Sequence, residues 1–260
     1  MPPWRIGIDV GGTFTDVVLI DDSGRLASIK SPSRPHDPGE GVIAALGLIA
    51  QSLGLSTRDL LRGCSLLVHG STVATNTLLE RTGARVGVLT TEGFRDSLEI
   101  RRGIRTNPWD HRTPYPPVLA PRYLRLPVVG RIDRHGGEHT PLDETSVARA
   151  LDVFAAENVE SIAVCLINSY LNPIHERRVA ELLRTERPDI PISVSSELAP
   201  VAGEYERLST TVVDAYVAPR LVTYLVGLAE QLATLGLSHP MLLVKNNGGT
   251  ATVDEVVAEP

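Results

Sequence analysis

Two short apolar runs flank a Gly-Gly turn near the start of the chain. Arg5–Val10 (RIGIDV) and Phe14–Ile20 (FTDVVLI) are joined by Gly11-Gly12-Thr13. Runs rich in Val and Ile on either side of such a turn predict a β-hairpin. The first layer of the fold is therefore expected to be a sheet, with Ile6, Ile8, Val17, Val18 and Leu19 as its buried flanks.

Polar groups cluster where this hairpin turns, in the octapeptide Asp9-Val10-Gly11-Gly12-Thr13-Phe14-Thr15-Asp16. Glycines let a backbone bend sharply and approach a ligand closely, and the N–H groups of such a turn form a concave anion site. Asp9 is placed to hold Mg²⁺ through its waters, since Mg²⁺ sheds water reluctantly. The pattern predicts a phosphate site, with Thr15 and Asp16 completing its polar wall; the alternative is a plain hairpin, in which Gly-Gly is also a good turn.

Strand and helix patterns alternate along most of the chain, which predicts an α/β fold with a largely parallel sheet. Further strands are expected at Arg25–Lys30, Ser65–His69, Arg85–Thr90, Ser161–Ile167, Ile192–Ser195 and Met241–Val244. Helices are expected at Glu40–Leu53, Val73–Arg81, Glu144–Asn158, Ile174–Glu186 and Glu204–Leu235. In the last helix a stripe of leucines (Leu221, Leu225, Leu228, Leu232, Leu235) predicts packing on a core, with a bend near Pro219.

The middle of the chain has a different character. Arg101–Pro127 is rich in Arg and Pro, too broken for a regular helix or a central strand, and an edge strand is expected at Leu124–Asp133. We therefore expect three segments: residues 1–91 with the hairpin, an irregular insertion at 92–142, and a second α/β segment at 143–260.

Charge and composition exclude several classes of function. The formal net charge is −6, which argues against a nucleic-acid partner. The two cysteines, Cys64 and Cys165, lie in apolar runs, so a disulfide framework is not expected. The chain has neither a signal-peptide pattern nor an apolar run of about 20 residues. It also lacks the G-x-S-x-G, P-loop, G-x-G-x-x-G and C-x-x-C motifs. A soluble cytoplasmic protein without a membrane partner is expected.

Three further segments offer candidate site residues. In His69-Gly-Ser-Thr-Val-Ala-Thr-Asn76, where a strand ends and a helix begins, Ser71 or Thr72 can cap the helix, while His69 and Asn76 are either catalytic contacts or ordinary polar residues. Gly248-Gly249, after Asn246-Asn247, is either a second ligand loop or an ordinary turn. Arg101, Arg102 and Arg105, before Trp109-Asp110-His111-Arg112, form either a solvated loop or a contact for a carboxylate, a nucleotide or a subunit.

The octapeptide resembles the first phosphate motif of the actin and sugar-kinase group of ATPases. Three other motifs narrow the resemblance to the hydantoinase/oxoprolinase family: HGSTVATN with Leu78-Leu-Glu-Arg81, Thr91-Glu-Gly-Phe-Arg-Asp96, and Glu204-Tyr-Glu-Arg207 with Ser209-Thr-Thr-Val-Val213. The resemblance runs from about Arg5 to Gly249. It implies a ribonuclease H-like (actin-like ATPase) lobe with an irregular Pro/Arg-rich insertion.

The resemblance also implies an activity. Members use ATP to activate a carbonyl or amide oxygen, so the expected function is ATP- and Mg²⁺-dependent opening of a cyclic amide such as 5-oxoproline or a hydantoin. Asp9, His69 and Asn76 are the candidate catalytic residues, with Asp9 also the metal ligand. The candidate nucleotide contacts are Gly11, Gly12, Thr13, Thr15, Asp16, Gly248 and Gly249.

Two other functions remain open, a subunit of an ATP-dependent ketone carboxylase and a non-catalytic nucleotide-binding or assembly module. Actin-like ATPases close a cleft between two lobes, and the D-x-G-G-T turn occurs once in this sequence. We therefore expect a C-terminal lobe or a second subunit to complete the site, and no ATP turnover by the 260 residues alone.

Overall fold

The structure is a computed structural model and describes residues 3–34, 36–104, 107, 109–110, 112–245 and 248–258. Its strands are β1 (Trp4–Val10), β2 (Phe14–Asp21), β3 (Leu26–Pro32), β4 (Cys64–Ser71), β5 (Val86–Thr91), β6 (Arg125–Val128), β7 (Arg131–Ile132), β8 (Glu138–Thr140), β9 (Ser161–Cys165), β10 (Ile192–Val194), β11 (Leu242–Val244) and β12 (Thr250–Thr252). Its helices are α1 (Pro38–Ser52), α2 (Thr57–Arg62), α3 (Val73–Glu80), α4 (Ser97–Ile100), α5 (Glu144–Ala156), α6 (Ile174–Glu186), α7 (Ser195–Leu198), α8 (Glu204–Leu235) and α9 (Val253–Ala258), with a 3₁₀ turn at Arg122–Leu124.

These elements form two compact units. The first comprises residues 1–82 and 220–260, and the second comprises residues 83–219. The bounds differ from the segments 1–91, 92–142 and 143–260 expected from the sequence, because β5 pairs with β6 and β9 rather than with the strands that precede it. The sequence pattern marks where elements change character, but it does not show which strands pair.

The first unit is built on a six-stranded mixed sheet with the order β12-β11-β4-β1-β2-β3. β1, β2 and β3 are antiparallel neighbours, whereas β1, β4 and β11 run parallel. The expectation of a largely parallel sheet is wrong here, because short turns can join only antiparallel strands. The predicted hairpin is confirmed, and the α/β fold with this strand order is the ribonuclease H-like arrangement that the resemblance implies.

The hairpin's alternation decides which side chains enter the core. Ile6 and Ile8 of β1 lie opposite Leu19 and Val17 of β2, and all four are buried. On the other face Asp9 lies opposite Asp16. Val18, expected to be buried, is 40% exposed because it falls on that second face. Further apolar side chains of this core come from helices α1, α2 and α9, from the second half of α8, and from strands β4, β11 and β12.

The second unit contains a four-stranded parallel sheet with the order β10-β9-β5-β6, which agrees with the alternating pattern of its sequence. β5 lies in the interior of the sheet and all of its residues are buried. β6 is the edge strand, which explains how it accommodates Pro127. The single edge strand expected at Leu124–Asp133 is instead two short strands, β6 and β7, interrupted at Gly130, which has a φ of +155°.

Helix α8 has the bounds predicted from the sequence and contains Pro219, where the division between the two units falls. Leu225, Leu228 and Leu232 are buried in the first unit's core, so the predicted leucine stripe packs as expected. Among the described helices, α8 is long and apolar enough, by length and composition, to cross a membrane, a criterion that core helices of soluble proteins also meet.

A network of buried charges ties together the carboxyl ends of β9 and β10. Ser195 links Arg207 to Glu176: its Oγ accepts from Arg207 Nη1 (3.2 Å) and donates to Glu176 Oε1 (2.7 Å). Glu176 also accepts from the backbone N–H groups of Leu166 and Ser196, while Arg207 donates to the Leu166 carbonyl (2.8 Å). Arg207 and Glu176 are 1% and 0% exposed. Each charge is therefore compensated through hydrogen bonds and not by direct contact.

We expect Glu176→Gln to destabilise the second unit by about 3–5 kcal/mol, because it removes the buried carboxylate that compensates the Arg207 charge through Ser195. The control is Glu181→Gln on the same helix, which removes only an exposed ion pair with Arg178 and costs about 1 kcal/mol or less. Denaturant unfolding of both variants tests the difference. Equal free energies of unfolding for the two variants would show that the buried network does not stabilise the second unit by this amount.

His69, a candidate catalytic residue, lies inside the first unit's core. It is 1% exposed and its strand position is beside Ile8 of β1. Its Nε2 lies 2.8 Å from the hydroxyl of Tyr224 on α8, and Nδ1 has no hydrogen-bond partner in the described part of the chain. Burial lowers the pKa of His69 to about 4. The imidazole is therefore neutral at pH 7 and hydrogen-bonded within the core.

This pKa makes the stability of the fold pH-dependent. An unfolded histidine titrates near 6.5, so the unfolded chain binds the proton more readily than the folded chain. Stability from this group is fully present above pH 6.5 and is lost as the pH falls from there towards 4. Between pH 7.5 and pH 5 we expect a loss of roughly 2 kcal/mol that His69→Gln abolishes.

Urea unfolding at the two pH values measures this difference. His135→Gln, at an exposed position, is the control and should retain the full pH dependence. The same slope in His69→Gln as in the parent would place the pH dependence in other groups.

Candidate functional site

Three strands of the first unit end at one edge of the sheet. β1, β4 and β11 are parallel neighbours, so the turns that follow them lie side by side. The first two turns are Gly11–Thr13 and Ser71–Thr72, and Lys245 follows β11 directly. Ligand sites of α/β folds usually lie at the carboxyl ends of parallel strands, and the predicted phosphate turn is at this edge.

The Gly11–Thr13 turn presents open donors. The Gly11 N–H donates to the Phe14 carbonyl (3.0 Å), which closes the hairpin. The N–H groups of Gly12 and Thr13 have no acceptor among the described residues, and both residues are exposed. Neither glycine has a positive φ, so the backbone conformation does not demand glycine here. A Cβ on Gly12 would lie 3.4 Å from Asn76 Nδ2, in the space above the turn.

This turn forms one wall of a cleft, hereafter the phosphate cleft. Its lining residues are Val10, Gly11, Gly12, Ser33, Arg34, Pro38, Thr72, Val73, Asn76, Thr77, Glu80 and Arg220. The N-terminus of α3 opens onto the cleft, and a helix N-terminus carries a partial positive charge. The cleft thus combines turn N–H groups with a helix terminus, both of which favour an anion.

Hydrogen bonds fix the walls of the phosphate cleft. Thr72 Oγ1 donates to the Val10 carbonyl (3.1 Å) and accepts from Asn76 Nδ2 (3.2 Å), which orients the Asn76 amide. Ser33 Oγ donates to the Gly11 carbonyl (2.7 Å) and contacts Thr15 Oγ1 (3.1 Å). One N–H at the start of α3 has a side-chain acceptor: Ser71 Oγ accepts from the Val73 N–H (3.2 Å), while the side chain of the N-cap residue, Thr72, makes no capping bond. Of the two predicted capping residues, Ser71 is the one whose side chain accepts from the start of α3. The Thr72 side chain instead donates to Val10 of β1.

Among the described residues, three charged ones line this cleft, namely Arg34, Arg220 and Glu80. Arg34 is paired with Glu40. Arg220 donates to Thr82 Oγ1 (2.6 Å), and in the described ranges no carboxylate lies within 4 Å of its guanidinium. The opposing charge is Glu80, which also lines the cleft. Arg220 is therefore a cation whose charge is available to an anionic ligand.

The size of the cleft restricts what it can hold. Its volume of about 50 Å³ corresponds to about three to five water molecules. Pockets that bury a whole small-molecule ligand measure about 300–1,000 Å³. The described residues therefore enclose room for a phosphate-sized group and not for a complete nucleotide.

Asp9 and Asp16 lie on the face of the hairpin that points away from the first unit's core. Asp16 Oδ2 accepts from Lys30 Nζ (2.9 Å), whereas Asp9 is exposed and has no hydrogen-bond or ionic partner among the described residues. A Cβ on Gly70 of β4 would lie 3.3 Å from Asp9 Oδ1, so the carboxylate leans over this glycine. The described residues contain no group of three or more metal-ligating side chains.

The structure brings together only part of the predicted set. Gly11, Gly12 and Asn76 line the phosphate cleft; Thr13 completes its turn and the buried Thr15 supports it through Ser33. Asp9 and Asp16 share the other face, and His69 is in the core.

The second predicted loop lies along the same sheet edge. Gly248, with a φ of +84°, closes a tight turn in which its N–H donates to the Lys245 carbonyl (2.9 Å) and Lys245 N–H donates to Gly249 (2.8 Å). This left-handed conformation is by itself a reason for glycine at position 248. Asn246 and Asn247 lie outside the described residues.

Sequence reasoning did not identify four residues of this edge: Ser33, Arg34, Gly70 and Arg220. Ser33 and Arg34 follow β3 directly, and Gly70 belongs to the HGSTVATN motif, so the local sequence could have indicated that these three residues lie at this edge. No local sequence pattern indicates Arg220, since it is far from the hairpin in sequence and α8 brings it to the cleft.

The basic cluster of the insertion is partly paired within the second unit. Arg102 Nε donates to Glu206 (2.6 Å), and Arg101 donates to the Pro116 carbonyl (3.2 Å). Arg105 and His111 lie outside the described residues. Trp109 is 91% exposed.

Comparison with known proteins identifies the family. Residues 5–187 match the model of the hydantoinase/oxoprolinase N-terminal region, and residues 207–260 match the hydantoinase/oxoprolinase model. The chain is 40% identical to the caprolactamase subunit alpha of Pseudomonas jessenii over 250 residues, which cover 95% of this chain. It is 36% identical to the acetophenone carboxylase gamma subunit of Aromatoleum aromaticum, again over 95% of this chain.

A solved structure agrees with these matches. The crystal structure of the ATP-dependent caprolactamase from Pseudomonas jessenii superimposes with a TM-score of 0.88 and 40% identity, covering 96% of this chain and 36% of that chain. The chain also spans 36% of each of the two curated relatives, about a third of their length. With nearly the whole chain matched by its models, this protein belongs to the hydantoinase/oxoprolinase family.

Proposed function

We propose that this chain is the phosphate-binding N-terminal part of an ATP-dependent enzyme that opens a cyclic amide, activating the amide oxygen by phosphorylation. The observation that carries the proposal is the pair of N–H groups at Gly12 and Thr13 that have no acceptor among the described residues, in the turn that forms one wall of the phosphate cleft. Its family and its 40% identity to a caprolactamase subunit support ATP as the phosphate donor. We place the enzyme in the cytoplasm, in keeping with its two free, buried cysteines.

The cleft residues have distinct roles in this proposal. The Gly12 and Thr13 N–H groups bind phosphate oxygens. Asn76, oriented by Thr72, and Arg220 donate to the charge that develops on the transferring phosphoryl group. Such preorganised donors are usually the largest source of rate enhancement in phosphoryl transfer. Thr15 acts through Ser33, which holds the Gly11 carbonyl and so the shape of the turn.

Asp9 is the proposed Mg²⁺ ligand. Mg²⁺ in nucleotide sites usually takes one or two carboxylates, several waters and phosphate oxygens, so a three-ligand protein cage is not required. The exposed, unpartnered Asp9 carboxylate at the end of β1 fits this role, while Asp16 is compensated by Lys30 and is less suited. When bound, Mg²⁺ neutralises charge on the phosphates.

In the proposed reaction, ATP phosphorylates the amide oxygen before the ring opens. The amide oxygen attacks the terminal phosphorus of ATP and ADP leaves. Water then adds to the activated carbon, the C–N bond breaks as the nitrogen takes a proton, and a further water releases phosphate. Phosphorylation activates the amide carbon towards water and lets the former amide oxygen leave as phosphate in the last step, which is how ATP drives a ring opening that is otherwise uphill.

The 36% identity to an acetophenone carboxylase subunit supports a second candidate function, that of a ketone carboxylase subunit. In that case the phosphorylated species is an enol instead of an amide. The two are separated by assaying the complete assembly for ATP hydrolysis with lactams, hydantoins and ketones, with and without bicarbonate. Lactam-stimulated, bicarbonate-independent turnover is expected. Turnover that requires a ketone and bicarbonate would favour the carboxylase, and ATP binding without turnover would favour an assembly module.

We expect Asp9→Asn to weaken binding of a Mg²⁺-bound, non-hydrolysable ATP analogue at least tenfold, about 1.4 kcal/mol, because the metal loses its carboxylate. Asp9 is exposed, so the melting temperature should stay unchanged. Asp22→Asn is the matched control, since it removes another exposed carboxylate of the same hairpin, paired only with Arg5 (3.7 Å). Calorimetry that finds equal affinities for the two variants would remove Asp9 from the metal site.

A further inference from the structure

A second cleft lies beside the phosphate cleft in the first unit, between the start of α1 and the second half of α8. The two clefts share Pro38, Val73 and Arg220 as lining residues. The second cleft measures about 390 Å³, against about 50 Å³ for the first. It falls in the range of about 300–1,000 Å³ typical of small-molecule sites. A ligand there would be adjacent to a phosphate held at the Gly11–Thr13 turn.

The walls of this second cleft combine polar and apolar groups. Its charged or titratable lining residues, besides Tyr224, are His36, Arg220 and Asp37, whose carboxylate accepts from the Glu40 N–H (2.8 Å) and so caps α1. Val73 and Leu228 supply apolar surface, and the Gln231 side-chain amide offers both a donor and an acceptor. Tyr224 also lines the cleft, and its hydroxyl is hydrogen-bonded to the buried His69 (2.8 Å). Burial raises the pKa of Tyr224, so the phenol stays protonated. A cyclic amide presents a carbonyl acceptor next to an N–H donor, which matches this mixed set, whereas a ketone presents only an acceptor.

Gly227 makes part of this space. It lies in the interior of α8, where glycine costs a helix about 1 kcal/mol relative to alanine. A Cβ built on it would meet no heavy atom within 4 Å, and the residue lines the second cleft. The backbone conformation does not require glycine, since its φ is not positive. A side chain at this position would project into the cleft without disturbing the core.

We propose that the cleft lined by Gly227, Tyr224 and Gln231 binds the cyclic amide substrate, next to Arg220 at the border with the phosphate cleft. This inference rests on the proposed function, because it assigns the substrate position in the same reaction. Arg220 lines both clefts, so it is placed to contact the phosphoryl group during its transfer to the amide oxygen.

The test measures lactam binding to the complete assembly saturated with a Mg²⁺-bound, non-hydrolysable ATP analogue. The probes are ε-caprolactam and cycloheptanone, two seven-membered rings that differ in the ring N–H. We expect Gly227→Leu to weaken ε-caprolactam binding more than tenfold with nucleotide affinity unchanged. Gly227→Ala, which improves the helix and adds only a methyl group, should fold at least as well and bind ε-caprolactam more weakly than the parent. Val226→Leu, at a position that is 36% exposed and lines neither cleft, should bind as the parent does.

The outcomes separate this inference from the proposed function. If the parent assembly binds nucleotide and ε-caprolactam, and Gly227→Leu retains both affinities, the substrate lies elsewhere and the inference is overturned. If cycloheptanone binds the parent as tightly as ε-caprolactam, the assignment to cyclic amides is overturned. If the parent assembly does not bind the nucleotide, the proposed function fails and this inference fails with it. Loss of ε-caprolactam binding confined to the Gly227 variants supports it.

Discussion

The pairing of β1 with two different neighbours is the constraint on which the first unit depends. Its antiparallel register with β2 sets Ile8 against Val17, and its parallel register with β4 sets Ile8 beside His69. A slip of one residue would exchange the faces, placing Asp9 in the core and Ile8 in solvent. The same register puts the turn after β1 next to the start of α3, which is why the phosphate cleft forms where it does.

The function proposed for this edge depends on polar groups that the fold leaves without a partner among the described residues. A hairpin hydrogen bond satisfies the Gly11 N–H, but the N–H groups of Gly12 and Thr13 have no acceptor in the part of the chain that the structure describes. Lys30 compensates Asp16, whereas Asp9 has no such partner among the described residues. Arg220 has a neutral partner in Thr82 and no carboxylate partner within the described ranges. By contrast, the buried charges Arg207 and Glu176 are compensated through Ser195, so they fix the second unit rather than serving a ligand.

Much of the fold could be read from local sequence patterns. The hairpin, the helices Ile174–Glu186 and Glu204–Leu235 and the leucine stripe of α8 have the predicted places, because each depends on periodicity within its own segment. Pairing between distant strands could not be read in this way. The predicted parallel sheet proved mixed in the first unit, and β5 joined the second unit instead of the hairpin. Local patterns determine elements, while the choice of neighbours depends on the whole core.

The candidate site shows the same division. Gly11, Gly12 and Asn76 were predicted and do line one cleft, because their motifs end adjacent parallel strands. Arg220 was missed, since only the packing of α8 brings it to the hairpin. The motif of His69 made it a candidate catalytic residue. Its hydrogen bond to Tyr224 and its burial could not be read from that motif, because they depend on a helix more than 150 residues away.

The central claim is that the turn after β1 holds a nucleotide phosphate, and amide chemical shifts test it most directly. In a titration of the ¹⁵N-labelled protein with a Mg²⁺-bound, non-hydrolysable ATP analogue, new hydrogen bonds to phosphate should move the amide protons of Gly12 and Thr13 downfield. These two resonances should shift more than that of Gly11, whose N–H is already bonded to Phe14. Saturable binding that leaves Gly12 and Thr13 unmoved, with its largest shifts elsewhere, would contradict the account.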